Sequence, residues 1–293
     1  MLFGAITGGM LALLALGFTL IYGVADVVNM AHGALYMLGA YTFWALTSSA
    51  GMPFEPIQLD LRLALILAVV FVGIVGSIVY RLIIHPVIDD MVAALVVTVG
   101  LGLIVQELII NRFGSYRWPI ASFIPGFTTI LGVKVTYPRL MAFLFSLALF
   151  AGLWIFITKT KIGTAMRAVA QDREVAMLMG INTERLCMLT MALSSSLAGL
   201  AGILITASTT GMAFPQMWME PLYMSFAIVI LGGLGSIKGT LIGAFIVAYA
   251  GETFVRLAPE VGFLRGAVAL AVMVLVLIVR PKGLFGKRIE LEE

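Results

Sequence analysis

The chain has 293 residues, 61% of them hydrophobic, with 18 Lys and Arg and 15 Asp and Glu. Charged residues make up 11%, less than half of the roughly one quarter usual in soluble domains, and that excludes an ordinary soluble coat. The net charge of +3 comes without a basic patch, which excludes nucleic-acid binding.

A helix needs about 20 apolar residues to cross roughly 30 Å of hydrocarbon. Between consecutive charges the chain has neutral runs at 1–25, 27–54, 63–80, 91–106, 140–158, 186–219, 221–237, 239–251 and 266–279. The shorter ones, 239–251 and 266–279, reach membrane length when Glu252 and Arg265 sit inside the span or snorkel outward. The pattern predicts an all-α polytopic membrane protein of eight or nine transmembrane helices, one domain over 1–293. No loop between the runs is long enough to hold a soluble domain.

The first Lys or Arg is Arg62, so Met1 to Gly23 lacks a positive leader region and reads as a retained helix, not a secretory signal. At Tyr22 to Gly33, Asp26, Asn29 and His32 fall between two apolar runs bracketed by Gly23 and Gly33. Polar groups at membrane depth persist only where protein buries them or a water-filled cavity receives them. One reading is therefore a broken helix on a transport path. The other is a short turn at the membrane face with Asn29 capping the next helix. His32 alone reads more readily as a hydrogen-bonded packing residue than as a proton relay.

The longest charged stretch runs from Lys159 to Arg185, and residues 160–182 form its loop. A helix is expected over Thr164 to Met179, stopped by Gly180, with Asn182 or Thr183 starting the next. Ala165, Ala168, Val169, Ala176 and Met179 make a small apolar face, while Arg167, Gln171, Asp172 and Arg173 make a polar one. Such a helix is a knob for a partner's groove. The alternative, a helix resting on lipid headgroups, would carry Leu, Phe or Trp where this one has Ala. Cys187, the single cysteine, excludes an intramolecular disulfide and a Cys-based metal site and reads as a small packing residue.

In Thr210 to Pro221, Pro215 and Pro221 break helix. Trp218 there is expected as an interfacial aromatic; the sharper alternative makes Gln216, Trp218 and Glu220 a docking surface for an extracytoplasmic protein. In Leu231 to Thr240, Gly232, Gly233, Gly235 and Gly239 suggest a phosphate loop, but Lys238 precedes its glycine instead of following it. ATP binding by this chain is excluded. The glycines instead predict a tight, flexible connection, and Gly235, Gly239 and Gly243 at four-residue spacing predict close helix packing.

Lys and Arg in short loops favour the cytoplasm. With 159–186 inside, alternation puts 81–90, Lys238 and 280–293 inside too, giving 11 Lys and Arg inside against 7 outside, with an outer N-terminus. There are two histidines, His32 and His85, with neither H-E-x-x-H nor G-x-S-x-G. An enzyme is therefore not expected, and neither is a metal site. Asp26, Glu107 and Glu252 are acids near span interiors, and they motivate an alternative of another class, a proton-coupled secondary transporter.

Leu14 to Tyr41, Arg167 to Leu186, Ile230 to Ala244 and the ending RPKGLFG at Arg280 to Gly286 together resemble the branched-chain amino acid permease subunit of ATP-binding-cassette importers, in its shorter paralogue. The resemblance runs from about residue 4 to residue 286. It implies a type II importer-like permease fold in the cytoplasmic (inner) membrane of a bacterium or archaeon, in contact with lipid. The implied partners are a second permease, two cytoplasmic ATPases that carry ATP and Mg, and an extracytoplasmic substrate-binding protein; no cofactor is implied in this chain. Arg167 to Gly180 then resembles a coupling helix, with Arg167, Ala168, Gln171, Asp172, Arg173, Ala176 and Gly180 at the ATPase, and Ala168 and Ala176 in contact with it. The break at Asp26 to Gly33 resembles an interrupted helix and draws Asn29, His32, Gly33 and Glu252 to the path. Permeases for urea and short amides have very similar motifs and stand as the alternative substrate class. In such a transporter selectivity can reside in the binding protein, which fits the absence of a charged pair at mid-membrane able to hold both ends of an amino acid.

Overall fold

A computed structural model describes residues 2–48, 58–124, 126–130 and 132–285. Part of the neutral run that ends at residue 54, the last motif residue Gly286, and Lys287 and Arg288 lie outside the described residues. The chain forms α1 (Leu2–Ala25), α2 (His32–Thr47), α3 (Leu61–Val79), α4 (Met91–Phe113), β1 (Trp118–Pro119), β2 (Phe127–Ile130), β3 (Val133–Thr136) and α5 (Tyr137–Lys159). It continues with α6 (Lys161–Gln171), α7 (Arg173–Leu178), α8 (Thr183–Ser208), β4 (Met212–Ala213), α9 (Met219–Gly232), α10 (Ile237–Leu257) and α11 (Arg265–Val279). Among the described residues seven helical stretches are long and apolar enough to cross a membrane, α9 is a shorter apolar helix, and α2 has 16 residues. The fold is that of a polytopic helical membrane bundle. Its only strands among the described residues are two antiparallel two-stranded pairs, β1 with β4 and β2 with β3, in connections at one end of the bundle.

Helix α1 is the axis of the bundle. It is apolar on every side, and 18 of its 24 residues are buried; a helix without a polar face is stable only when surrounded. It packs on α10, α8, α5, α9 and α6. Opposite partners of Gly4 and Gly8 are Tyr249 and Phe245 of α10, while Gly17 lies under the Ser194 carbonyl of α8, so α10 and α8 both run antiparallel to it. Ser194 closes this contact by donating its hydroxyl to the Gly17 carbonyl at 2.7 Å.

The outer helices sort their residues by size. On α3 the inward positions are Ala64, Ala68, Val72, Gly73 and Gly76, and the exposed ones include Ile66, Val70, Ile74 and Ile78. On α4 the inward set Ala94, Thr98, Gly102 and Gln106 repeats every four residues, with Val92, Val96, Leu103 and Leu108 outward. Lipid tails are as apolar as a protein core, so no hydrophobic force drives these helices together. Small inward residues let backbones approach, and large outward ones meet lipid. Where α2 crosses α8, a Cβ on Gly39 would stand 2.4 Å from Gly199 Cα, and one on Gly202 would stand 2.0 Å from the Tyr36 carbonyl.

Local chemistry sets the helix ends. Asp90 accepts from the Val92 and Ala93 amides at 2.9 and 3.0 Å, Asn182 from Arg185 at 2.9 Å and Ser236 from Gly239 at 3.1 Å, each supplying an orphan amide with an acceptor. The end of α3 loosens into a π turn at Tyr80–Ile84 and a 3-10 turn at His85–Val87, where Pro86 lacks the amide an α-helix needs. Arg81 at this turn pairs with Glu184 at the start of α8. The tail amides of Leu284 and Phe285 donate to the carbonyls of Leu231 and Gly232 at 2.8 and 3.0 Å, covering the end of α9.

Gly202→Val is expected to destabilise the bundle by about 1–3 kcal/mol, the usual cost of overpacking. Gly100→Ala, which has open space around it, is expected to be neutral or slightly stabilising. Thermal unfolding in detergent checks the contrast.

Candidate functional site

At Ala25 the chain turns through Asp26, the one non-glycine residue at positive φ among those described (φ 54°). It then runs back into the bundle without helix until His32. Its return is traced by neighbours: Met30 donates its amide to Thr98 in the first half of α4 at 3.2 Å, and His32 Nε2 lies 3.0 Å from the carbonyl of Leu14, the middle of α1. Of the two readings of this segment the structure has the broken helix. The segment 26–31 covers one half of the depth without helix, ending in a turn at Met30 and Ala31, and α2 begins near the middle and covers the other.

A non-helical backbone at this depth survives because protein satisfies it. The Asn29 side-chain oxygen accepts from the Ala31 amide at 3.0 Å, the Asn29 carbonyl accepts from His32, and the Asn29 amide group reaches Met191 Sδ at 3.6 Å. Asn29 is not the expected helix cap: the N-cap of α2 is Ala31, which has no side-chain cap bond, and Asn29 instead closes the turn ahead of it at mid-depth. His32 is fully buried and stands edge-on to Phe18 with ring centroids 5.6 Å apart. Gly17 makes room for it, since a Cβ there would meet the His32 ring at 2.9 Å. Asn29, His32 and Gly33 therefore brace α2 against α1, α8 and α9. They line neither of the two cavities described below.

A second break was not foreseen. The chain leaves the end of α8, pairs β4 with β1, and descends until α9 starts near the level of Gly33, which abuts the Trp218 carbonyl and Leu222. Helix α9 has 14 residues, about 21 Å, and runs from there to the opposite end. Trp218 is consequently not on an outer surface: it is 4% exposed, its indole N–H donates to Gln106 Oε1 at 2.7 Å, and its ring lies on Gly102 at the middle of α4. This corrects both the interfacial and the docking assignments of Trp218. Its physical cause is the hydrogen bond, which gives a buried indole the acceptor it requires. Gln216 and Glu220 remain exposed. The signals available in sequence were Pro215 and Pro221, together with Gly33 and Gly102, the small residues that receive Trp218.

The glycines of 231–240 pack backbone on backbone. A Cβ on Gly239 would lie 1.9 Å from the Gly232 carbonyl, and Gly235, at φ 77°, meets Gly23 of α1. This contact, together with Gly243 under the Ile228 carbonyl, holds α9 and α10 at backbone distance. Gly233, at φ 99°, ends α9 in a conformation that side chains resist. Cys187 is buried beside Tyr80, as a packing residue.

Two cavities lie on the two sides of the breaks. The outer one, about 500 Å³, is lined by α1, α2, α5, α8, α9, α10 and α11 and includes Met10, Leu11, Tyr36, Glu220 and Glu252. The inner one, about 680 Å³, lies at the other end of α1 and includes Tyr22, Asp26, Asp89, Gln171, Asp172, Arg173 and Gly235. From Leu11 to Tyr22 the axis of α1 advances about 16 Å, and Leu14, Phe18 and His32 occupy that interval. Of the three acids considered for proton coupling, Asp26 lines the inner cavity, Glu252 the outer, and Glu107 is exposed on α4 away from both. They form no relay. Among the described residues no three His, Cys, Asp or Glu are grouped to hold a metal ion.

At the inner end α6 and α7 replace the single helix expected over 164–179. Asp172 breaks it: the residue is extended (φ −158°, ψ 112°) and its carboxylate accepts from Val175, capping α7 at 2.9 Å. Gly180 follows α7 at φ 82°, the expected stop. The new helix rotates the face. Ala176 is 3% exposed and packed into the bundle, so it makes no partner contact, whereas Leu178 and Met179 are 86% and 79% exposed. Arg167 and Gln171 are exposed, while Ala168 and Arg173 are half-buried; Arg167 donates to the Thr158 carbonyl and to Thr164, and Gln171, Asp172 and Arg173 face the inner cavity.

Residues 1–277 match the family model described as "Branched-chain amino acid transport system / permease component". The chain is 28% identical over 295 residues to the high-affinity branched-chain amino acid transport system permease protein BraD of Pseudomonas aeruginosa, covering 97% of this chain and 94% of that one. It is 27% identical over 299 residues to the corresponding permease protein LivM of Escherichia coli, covering 93% and 67%. Among solved structures it is similar to PsaBC from Streptococcus pneumoniae in complex with Fab, with a TM-score of 0.51, 15% identity and coverage of 96% and 92%. At that identity the likeness is one of fold.

In a Cys187→Ser background, a cysteine at Leu178 is expected to react fully with a membrane-impermeant maleimide, and one at Ala176 to stay protected until the protein is denatured. Equal labelling of the two would contradict the broken α6–α7 geometry.

Proposed function

We propose that this chain, which belongs to the family of branched-chain amino acid transport system permease components, is the membrane-spanning permease subunit of a binding-protein-dependent ATP-binding-cassette importer for branched-chain amino acids. It resides in the inner membrane with α6 and α7 on the cytoplasmic side. The observation that carries this reading is the exposed tip of α7, Val175, Leu178 and Met179, which projects at the end of the bundle richer in Lys and Arg. Apolar side chains left in water on a short, capped helix fit the groove of a protein partner.

In this reading two cytoplasmic ATPases hold ATP and Mg, a second permease of the LivM kind completes the membrane unit, and a binding protein delivers substrate at the outer face. Closure of the ATPase pair moves the α6–α7 unit. Because Gln171, Asp172 and Arg173 line the inner cavity, the same displacement alters the walls of that cavity next to Asp26 and Gly235. A ligand shifts an equilibrium only between states it contacts differently; here the coupling unit is the element whose contacts differ. The two half-helices give the bundle elements that can shift without unravelling a full span, since their free ends are held by side chains and not by helix continuity.

Replacing Leu178 and Met179 together by Asp is expected to abolish co-purification of the ATPase subunits and to reduce uptake at least about tenfold, as for loss of an apolar anchor at an interface. Membrane insertion, read by protease protection, is expected to be retained. Undiminished ATPase capture would overturn the coupling assignment.

A further inference from the structure

The outer cavity joins four charged side chains that are far apart in sequence. Arg139 comes from the first turn of α5, Glu220 from the first turn of α9, Glu252 from α10 and Arg265 from the start of α11. Their charges cancel, and the volume of about 500 Å³ lies within the range of roughly 300–1,000 Å³ typical of small-molecule sites. Arg265 donates to Glu252 Oε1 at 2.9 Å, and the Thr7 hydroxyl donates to the same oxygen at 3.2 Å. Glu252 Oε2 is thereby left without a hydrogen-bond partner among the described residues. Arg139 donates from Nε to the Ser208 carbonyl at 3.1 Å and lies over the Phe3 ring at 5.4 Å. Its plane is held while both Nη groups have no described hydrogen-bond partner, and a guanidinium held in this way presents the paired donors that match a carboxylate. Glu220 also has no hydrogen bond among the described residues. Charged groups kept within a membrane bundle around a cavity are functional by default.

The remaining walls are apolar, among them Ile6, Met10, Leu11, Met217 and Met224. Methionine is unbranched and polarizable and adapts to several shapes, so these walls suit aliphatic side chains that differ in branching. We propose that the outer cavity is a binding site for a free aliphatic α-amino acid as its zwitterion, with the carboxylate on Arg139, the ammonium on Glu220 and Glu252, and the side chain against the methionines. The proposal rests on the permease reading and gives the permease a substrate site of its own. Urea and short amides carry no charge to engage either pair of groups, so the site favours an amino acid over them.

The test uses the assembled permease–ATPase complex in lipid nanodiscs without binding protein, and reads binding of tritiated L-leucine. Saturable binding is expected, displaced by unlabelled leucine, isoleucine and valine, but not by urea, by isoamylamine (no carboxylate) or by isocaproate (no ammonium). Arg139→Gln and Glu220→Gln are each expected to weaken it about tenfold to a hundredfold, the scale of one lost hydrogen bond to a charged group. Arg139→Lys should lose less. Subunit co-elution verifies assembly, and Glu220 is exposed, so its replacement tests the site without disturbing a core. Unchanged affinity in the assembled variants would overturn the site. So would the absence of saturable binding in a wild-type complex that imports leucine once binding protein is added. If that wild-type complex with binding protein transports no amino acid, the permease reading itself fails, and the site with it.

Discussion

Every backbone amide and carbonyl at membrane depth must be satisfied by protein, because hydrocarbon offers it nothing. In most of this bundle helices meet that requirement internally. At the two breaks they do not, and the surrounding side chains are chosen accordingly. Thr98, Asn29 and Ser194 bond backbone groups in and around the first break, and the His32 ring reaches the Leu14 carbonyl. The central position of α1 follows from the same demand: its glycines let side chains of other helices come close enough to bond.

The breaks in turn create the space a passage needs. A full-length α2 would put side chains at the inner end of α1, where the cavity with Asp26 and Gly235 now lies, and a full-length α9 would fill the outer cavity. Each half-helix vacates one side. The septum between, built from Leu14, Phe18 and His32, separates two cavities of opposite access. That arrangement suits alternation between outward and inward openings better than a continuous channel. The inner cavity shares Gln171, Asp172 and Arg173 with α6 and α7, so under the proposed coupling role the docking surface adjoins a wall of that cavity.

Much of this was legible in the chain itself. The neutral runs mark the spans because each helix is independently long enough to cross. Asp26, Asn29 and His32 between apolar runs marked the first break, since lipid tolerates such a group only with partners. The second break was harder, because its one polar side chain before Glu220, Gln216, stays exposed and the burial of Trp218 depends on Gln106, 112 residues away in sequence. Ala176 was misassigned for a related reason: one capping bond at Asp172 restarts the helix and turns the face that a continuous helix would have shown.

The amino-acid sequence by itself determined that the protein lives in a membrane, that eight or nine apolar segments cross or enter it, where α7 stops at Gly180, and which family it belongs to, because these properties follow from hydropathy, spacing and motifs carried by contiguous residues. Only the tertiary structure decided that Asn29 and His32 serve as braces, that Leu178 and Met179 form the exposed tip, and that Arg139, Glu220, Glu252 and Arg265 share one cavity. Those outcomes depend on contacts between helices distant in the chain, and no local pattern of residues records which helix will stand beside which.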